Sequence, residues 1–355
     1  MFDSIARNLI SNRTLENTAI IILPYLVYLI GNGFDLSKGL PTSYPQFYNY
    51  YCSLPSPNND LAELKEEITR GDNWSDLEFA LGEYSAKFDS KERLAKLHKD
   101  LRTKLRDYLI KVEAHYHCDD SQKDLLMSDL LSPEKYLRDT EQRVITDIKN
   151  QSWTSEKINI ITFNYTDTLE RLINCKEEDP VNSITHVHGT LKNNGRDMIL
   201  GVDNDNQMSN KTLCVDRLIR RKFIKSESNA INGTDRDKYC KDLIYKADLI
   251  CLFGVSFGDT DALWWGHIAR RLINNSSSKL IIFIHKRDFE TNIDDDIADI
   301  LEKDEEIKDM FLSKTELDET KYESVKPQIF VCINSDMFSN IDFPYDDSWH
   351  SWAKK

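Results

Sequence analysis

The stretch Tyr25-Leu26-Val27-Tyr28-Leu29-Ile30-Gly31-Asn32-Gly33-Phe34-Asp35 (25–35) decides the fold. A continuous apolar run that stops at a glycine turn is the pattern of a strand covered on both faces, as in a parallel sheet. The run reaches back to Ala19, twelve residues interrupted by Pro24, which is short of the ~20 needed to span a bilayer. A signal-peptide core has a similar length, but no small-residue cleavage site follows, so the strand is the expectation.

Working outward, similar short runs recur at 158–163, 184–188, 198–202, 248–256, 279–284 and 328–333. Together they predict an α/β fold: a Rossmann-like, largely parallel sheet with helices on both faces. Between the first two runs the texture changes. Leu94, Leu97, Leu101, Leu105 and Tyr108 fall at helical spacing, and a second helix is expected to open at Ser132-Pro133-Glu134, with Ser as cap and Pro in the first turn. Residues 55–152 therefore read as a helical insertion, within a nucleotide-binding domain formed by 1–54 and 153–345. Further helices are expected at 166–174, 260–274 and 293–310. The polar segment 203–240 reads as a mobile loop over the site with a short basic helix near 213–225.

Composition narrows the function. The 355 residues carry 46 basic and 60 acidic side chains, a net charge of −14. Such a surface repels phosphate backbones, and the one dense basic run, Arg217, Arg220, Arg221, Lys222 and Lys225, is short. Nucleic acid is not the expected partner, and neither is a membrane. Seven scattered cysteines without a C-x-x-C pair suggest a reducing, cytoplasmic setting and exclude a four-cysteine zinc module.

Glycine is scarce, 12 in 355 residues. Gly31, Gly33, Gly189, Gly201, Gly254 and Gly258 all fall within or at the ends of expected strands, where a parallel sheet binds ligands and a missing side chain lets a phosphate approach backbone N–H groups. Ligand-free tight turns are the alternative. Gly31-Asn32-Gly33-Phe34-Asp35 lacks the third glycine of a dinucleotide fingerprint, so an ordinary dehydrogenase site is not expected. Asp35 is available to a ribose hydroxyl or to a helix cap.

Polar residues cluster at the same strand ends. In Thr162-Phe163-Asn164-Tyr165-Thr166-Asp167, Asn164 can hold sugar hydroxyls or a water, while Thr166 or Asp167 can instead cap the next helix. His186 and His188 share one strand face. No third metal ligand has recognisable spacing, and Asp203 and Asp205 lack the rest of a calcium loop. His188, beside Gly189, suits acid/base work, whereas His186 reads as a core histidine. Gly254-Val255-Ser256-Phe257-Gly258 resembles a serine nucleophile elbow only in spacing. Ser256 with nearby amides fits a phosphate turn better, followed by Asp259 and Asp261, the latter a ribose ligand or cap. Ser75 and Glu78 form a capping box, with Glu78 alternatively turned into the crevice.

Six blocks in order, LIGNGFDLSKGLPTSYPQF (29–47), NWSDLE (73–78), TFNYTDTLE (162–170), HVHGTL (186–191), ILGVDN (199–204) and FGVSFGDTD (253–261), resemble the bacteriophage abortive-infection AbiH family. That family is in turn similar to sirtuin-like proteins, which bind NAD on a Rossmann-like sheet and often hydrolyse it. The resemblance implies an antiphage NAD⁺ glycohydrolase that needs no cofactor or metal, with NAD⁺ as substrate. In it Asn164 and His188 are catalytic. By the same resemblance Gly31, Gly33, Gly254 and Ser256 are expected to contact the nucleotide, and the residue reading adds Asn32, Phe34, Asp35, Asp167, Gly189, Asp259 and Asp261 to that expectation. The missing cysteine module argues against deacetylation. A phage-derived trigger, and a homo-oligomer or partner protein, go with the same expectation. The rivals are a non-catalytic nucleotide sensor or scaffold and a metal-dependent nuclease using Asp203, Asp205, Asp259 and Asp261.

Overall fold

In a computed structural model the described residues are 25–70, 74, 76–117, 122–152, 157–173, 180–232, 235–285 and 297–341. The apolar run 19–24, Ser75 and residues 342–355 lie outside them. Six strands form one parallel sheet: β1 (Tyr25–Ile30), β2 (Lys157–Thr162), β3 (Val181–His186), β4 (Ala247–Phe253), β5 (Lys279–Ile284) and β6 (Ile329–Ile333). Their order is β3-β2-β1-β4-β5-β6, the doubly wound Rossmann arrangement, whose direction of winding reverses between β1 and β4.

Alternation along β1 shows why both faces are covered. Leu26, Tyr28 and Ile30 join a core with the helices that precede β2: α1 (Gly33–Ser37), α2 (Tyr44–Ser53), α3 (Asn59–Arg70), α4 (Leu77–Tyr84), α5 (Lys91–Ala114), α6 (Lys123–Leu131) and α7 (Asp139–Ser152). Val27 and Leu29 join a second core on the opposite face. Each residue step reverses the side of the sheet, so a strand sandwiched between helices must be apolar throughout. In α5 the expected Leu94, Leu97, Leu101, Leu105 and Tyr108 are all buried.

After β2 come α8 (Thr168–Leu172), α9 (Arg217–Phe223), α10 (Lys225–Ile231), α11 (Arg236–Lys246), α12 (Ala262–Asn274) and α13 (Ile297–Ser313). The last three supply Ile244, Trp265 and Phe311 to the second core. No helix among the described residues is long and apolar enough to cross a membrane.

Three expectations are corrected. Residues 198–202 form no strand; Val202 makes only an isolated parallel bridge to Ile224. The segment is apolar because Met198, Leu200 and Val202 pack in the first core. At Ser132-Pro133 a 3-10 turn forms instead of an α-helix start, Leu137 is extended, and the helix proper begins at Asp139. Residues 203–240 hold α9, α10 and the start of α11 where a loop with one short helix was expected. Their Asn and Asp residues act as caps: Asn210 accepts from Leu213 N, and Asp216 from Leu218 and Ile219 N. Caps of this kind offset unpaired helix donors, so a polar composition here marks helix starts.

Candidate functional site

At the winding switch, Gly31 N donates to Phe253 O (2.9 Å) and Gly33 N to Gly254 O (2.8 Å). A Cβ on Gly33 would stand 2.4 Å from Gly254 Cα, and Gly254 itself has φ +66°. These glycines therefore let the turns after β1 and β4 close on each other, backbone to backbone.

Beside this floor, β2 and β3 deliver an amide and an imidazole. Thr162 pairs with His186 in the ladder, and Val187 N continues it to Thr162 O at 3.0 Å. Asn164 and His188 both lie two residues past that pair, at neighbouring strand ends. The Asn164 backbone is held at both ends: its N–H donates to Thr162 Oγ1 (3.1 Å), whose hydroxyl donates to Ile30 O (3.1 Å), and its carbonyl receives His186 Nδ1 (2.6 Å). The other nitrogen of His186 meets Glu170 Oε1 at 2.7 Å. Two acceptors face the ring, so the imidazolium satisfies both. Burial alone would lower the His186 pKa, but the Glu170 carboxylate and Asn164 carbonyl raise it overall.

With its backbone fixed, Asn164 presents a buried side chain whose Oδ1 and Nδ2 make no hydrogen bond of normal geometry, although the amide lies near enough to Asp35 to help hold that carboxyl's pKa down; Nδ1 of His188 is buried without a hydrogen-bond partner. Buried polar atoms are rarely left unpaired, so this group marks a place for a ligand or water. The rings of Phe163 and Tyr165 flank His188, at 5.6 and 6.4 Å between centroids.

Behind His188 lies a buried ionic chain. His188 Nε2 is 3.0 Å from Asp261 Oδ1; Lys225 Nζ reaches the same oxygen (2.9 Å), Glu78 Oε2 (2.7 Å) and Thr260 O (2.9 Å). Glu78 Oε1 accepts from Gly201 N at 3.0 Å. A Cβ on Gly201 would sit 2.1 Å from Phe223 O, so glycine is required for that segment to pass α9. Burial would raise the Asp261 pKa, yet Lys225 and His188 hold it below the usual carboxylate range. Burial pushes Glu78 up despite Lys225. For Lys225, the two carboxylates overcome burial and keep the ammonium charged. An ionised Asp261 can only accept, so the hydrogen of the contact comes from His188 Nε2, and the buried Nδ1 is the ring nitrogen without a partner. Asp203, whose Oδ2 accepts from Leu263 N (3.2 Å), is pushed by burial to about 6.

Asp35 is fully buried at the start of α1, accepting from Thr166 Oγ1 (2.5 Å) and Thr168 Oγ1 (2.8 Å). Burial raises its pKa from 3.8 to about 6, although both hydroxyls oppose the shift. A raised carboxyl pKa means that the folded state binds more protons than the unfolded one between those values. Its contribution to stability therefore worsens as pH rises from about 3.8 to about 6 and stays unfavourable above. Asp35→Asn is expected to gain thermal stability relative to the parent as pH goes from 4.5 to 7.5; a difference in melting temperature that is flat with pH would refute this.

The remaining expected ligands are dispersed. Asn32 exchanges hydrogen bonds with Thr42 (3.0 and 2.6 Å). Phe34 is buried against Phe338. Asp167 heads α8 but points to Tyr116 (2.9 Å) and Arg171 (2.7 Å), with no capping bond. Gly189, at φ +79°, would place a Cβ 2.1 Å from Asp197 O. Ser256 is exposed, and Asp259 pairs at the surface with Lys314 (2.7 Å). The capping box does not stand: Asp76, through Oδ1, caps α4, which frees Glu78 to face Lys225. Sequence reasoning missed Lys225, placed there in a basic surface run, and Thr166 and Thr168, whose alternation with Asn164 and Thr162 is the available signal. Among the described residues, no group of three or more His, Cys, Asp or Glu is placed to hold a metal ion.

Strand order and site together define a Rossmann-like α/β protein with a buried amide–imidazole centre next to the winding switch. Residues 27–283 match the bacteriophage abortive infection AbiH family, and the chain belongs to it. Its place is accordingly in phage abortive infection. No curated protein matches the chain. Each of the six sequence blocks contributes to the centre or its floor, through Gly31 and Gly33, Glu78, Asn164, His188, Gly201 and Asp261.

Proposed function

We propose that the protein hydrolyses the N-glycosidic bond of NAD⁺, releasing nicotinamide and ADP-ribose, as its contribution to phage abortive infection. The observation that carries this reading is that the Asn164 amide, turned toward Asp35 but without a hydrogen bond of normal geometry, and the unpartnered His188 Nδ1 are buried on adjacent strand ends. Nicotinamide leaves as a neutral molecule once the C1′–N bond electrons move to its ring, so the reaction needs a positioned water and ribose more than a strong nucleophile. Asn164 can donate to and accept from a ribose hydroxyl or the water. As water oxygen bonds to C1′, its proton passes to His188 Nδ1, and Asp261 stabilises the imidazolium that results. Phe163 and Tyr165 supply apolar faces beside the reacting carbon.

Gly31 N and Gly33 N are already donated within the fold, so the diphosphate is assigned to the rim after β4, where Ser256 is exposed. The same engaged amides offer no phosphate cradle to either reading; the rival remains a nucleotide sensor that binds without turnover.

The test is to incubate purified protein with NAD⁺, alone and with extract from phage-infected cells, and to quantify nicotinamide and ADP-ribose. Equal amounts of the two, with turnover reduced on the order of a hundredfold in Asn164→Ala, are expected. Saturable NAD⁺ binding with no product under either condition would select the sensor instead.

A further inference from the structure

We propose that a groove in the helical layer is a second ligand site, which takes a small phosphate-bearing molecule of nucleotide size. The groove has a volume of about 330 Å³ and lies between the first turn of α3 and residues 93–104 of α5. That is the lower end of the range for small-molecule sites. Pro57, Leu61 and Leu97 give it an apolar side, and Lys96, Lys99 and Lys104 stand along α5.

Charge decides the ligand class. The two carboxylates of the groove are engaged: Asp60 takes Arg93 through Nε (3.1 Å) and Nη2 (2.6 Å), and Asp100 accepts from Tyr51 OH (3.0 Å). Among the described residues, Lys96, Lys99 and Lys104 form no ion pair. Positive charge thus exceeds negative here, on a chain whose net charge is −14. Beyond the groove the excess continues. Lys222 has its pKa lowered, first by burial and then by Arg102 and Lys99. Four basic side chains against two carboxylates leave a local positive potential that attracts an anion. Lysine ammonium groups suit phosphate as point charges, and the apolar side offers a surface for a base or other ring.

The same helix braces the candidate centre. His98 Nε2 donates to Leu200 O (2.7 Å), and Arg102 Nη1 to Gly195 O (3.1 Å) and Met198 O (3.0 Å), in the segment leading to Gly201. The groove is nevertheless lined by none of the residues of that centre.

The experiment is calorimetric titration of the full chain with ATP, with inorganic pyrophosphate and with a single-stranded oligonucleotide, at low and moderate salt. Three proteins are compared: the parent, Lys96→Gln/Lys99→Gln/Lys104→Gln, and Asn164→Ala/His188→Ala. ATP is expected to bind the parent in a salt-sensitive way and the lysine variant roughly tenfold or more weakly. The Asn164/His188 variant is expected to bind as the parent does, which separates this site from the proposed reaction. The proposal is overturned if the parent takes up neither ATP nor pyrophosphate at millimolar concentration. It is also overturned if the lysine variant keeps full affinity, if binding is lost in the Asn164/His188 variant, or if the oligonucleotide binds in preference to ATP. Unchanged unfolding of the lysine variant without ligand shows that its fold is intact.

Discussion

His188→Ala is expected to lower nicotinamide release by roughly 10²–10⁴-fold, the usual range for loss of a general base. In the proposed reaction the ring would take the proton at Nδ1, since Nε2, 3.0 Å from Asp261 Oδ1, already donates to that carboxylate. After the substitution Asp261 still has Lys225 at 2.9 Å, so no carboxylate is stranded and the fold should survive. KM should change less than kcat, because the ring acts on the water more than on the bound nucleotide. Parent-like turnover in His188→Ala would remove the base from the mechanism. Unfolding of the variant would show a structural role, and His188→Gln, which keeps a polar group near Asp261, would then separate folding from chemistry.

Lys225→Met is expected to destabilise the protein by about 3–5 kcal/mol, the range found when one partner of a buried ion pair is removed. Methionine nearly preserves the volume, so the effect is electrostatic: Glu78 and Asp261 would face each other without the ammonium now 2.7 and 2.9 Å from them. The deficit should shrink as pH falls, since protonating either carboxyl removes the repulsion. Adding Glu78→Gln should recover part of the loss, because glutamine still offers Oε1 to Gly201 N while withdrawing one charge. Denaturant unfolding of the single and double variants measures both. A single variant as stable as the parent would mean that the ionic chain does not hold this part of the fold.

The sheet was legible because its strands are covered on both sides and so read as unbroken apolar runs. Residues 198–202 share that texture for another reason: Met198, Leu200 and Val202 are covered in the core without joining the ladder. Apolarity reports burial, and only backbone pairing separates the two cases. Asn164 and His188 were legible by position, just past strand ends. Lys225 was not, because its inward turn depends on Glu78 and Asp261, remote in sequence, and neighbouring arginines disguise it. Glycines announced a close approach but not its partner. At Gly31 and Gly33 the nearest group is the Gly254 turn, which no local pattern distinguishes from a phosphate.

The ionic chain also sets a timetable for biosynthesis. Glu78 is translated first, His188 and Lys225 follow, and Asp261 arrives last. Until the ribosome has extruded Asp261, nothing dictates which ring nitrogen of His188 holds its proton, and Lys225 has only one of its two counter-charges. A product cut short before Asp261 therefore lacks the carboxylate that orients the His188 ring.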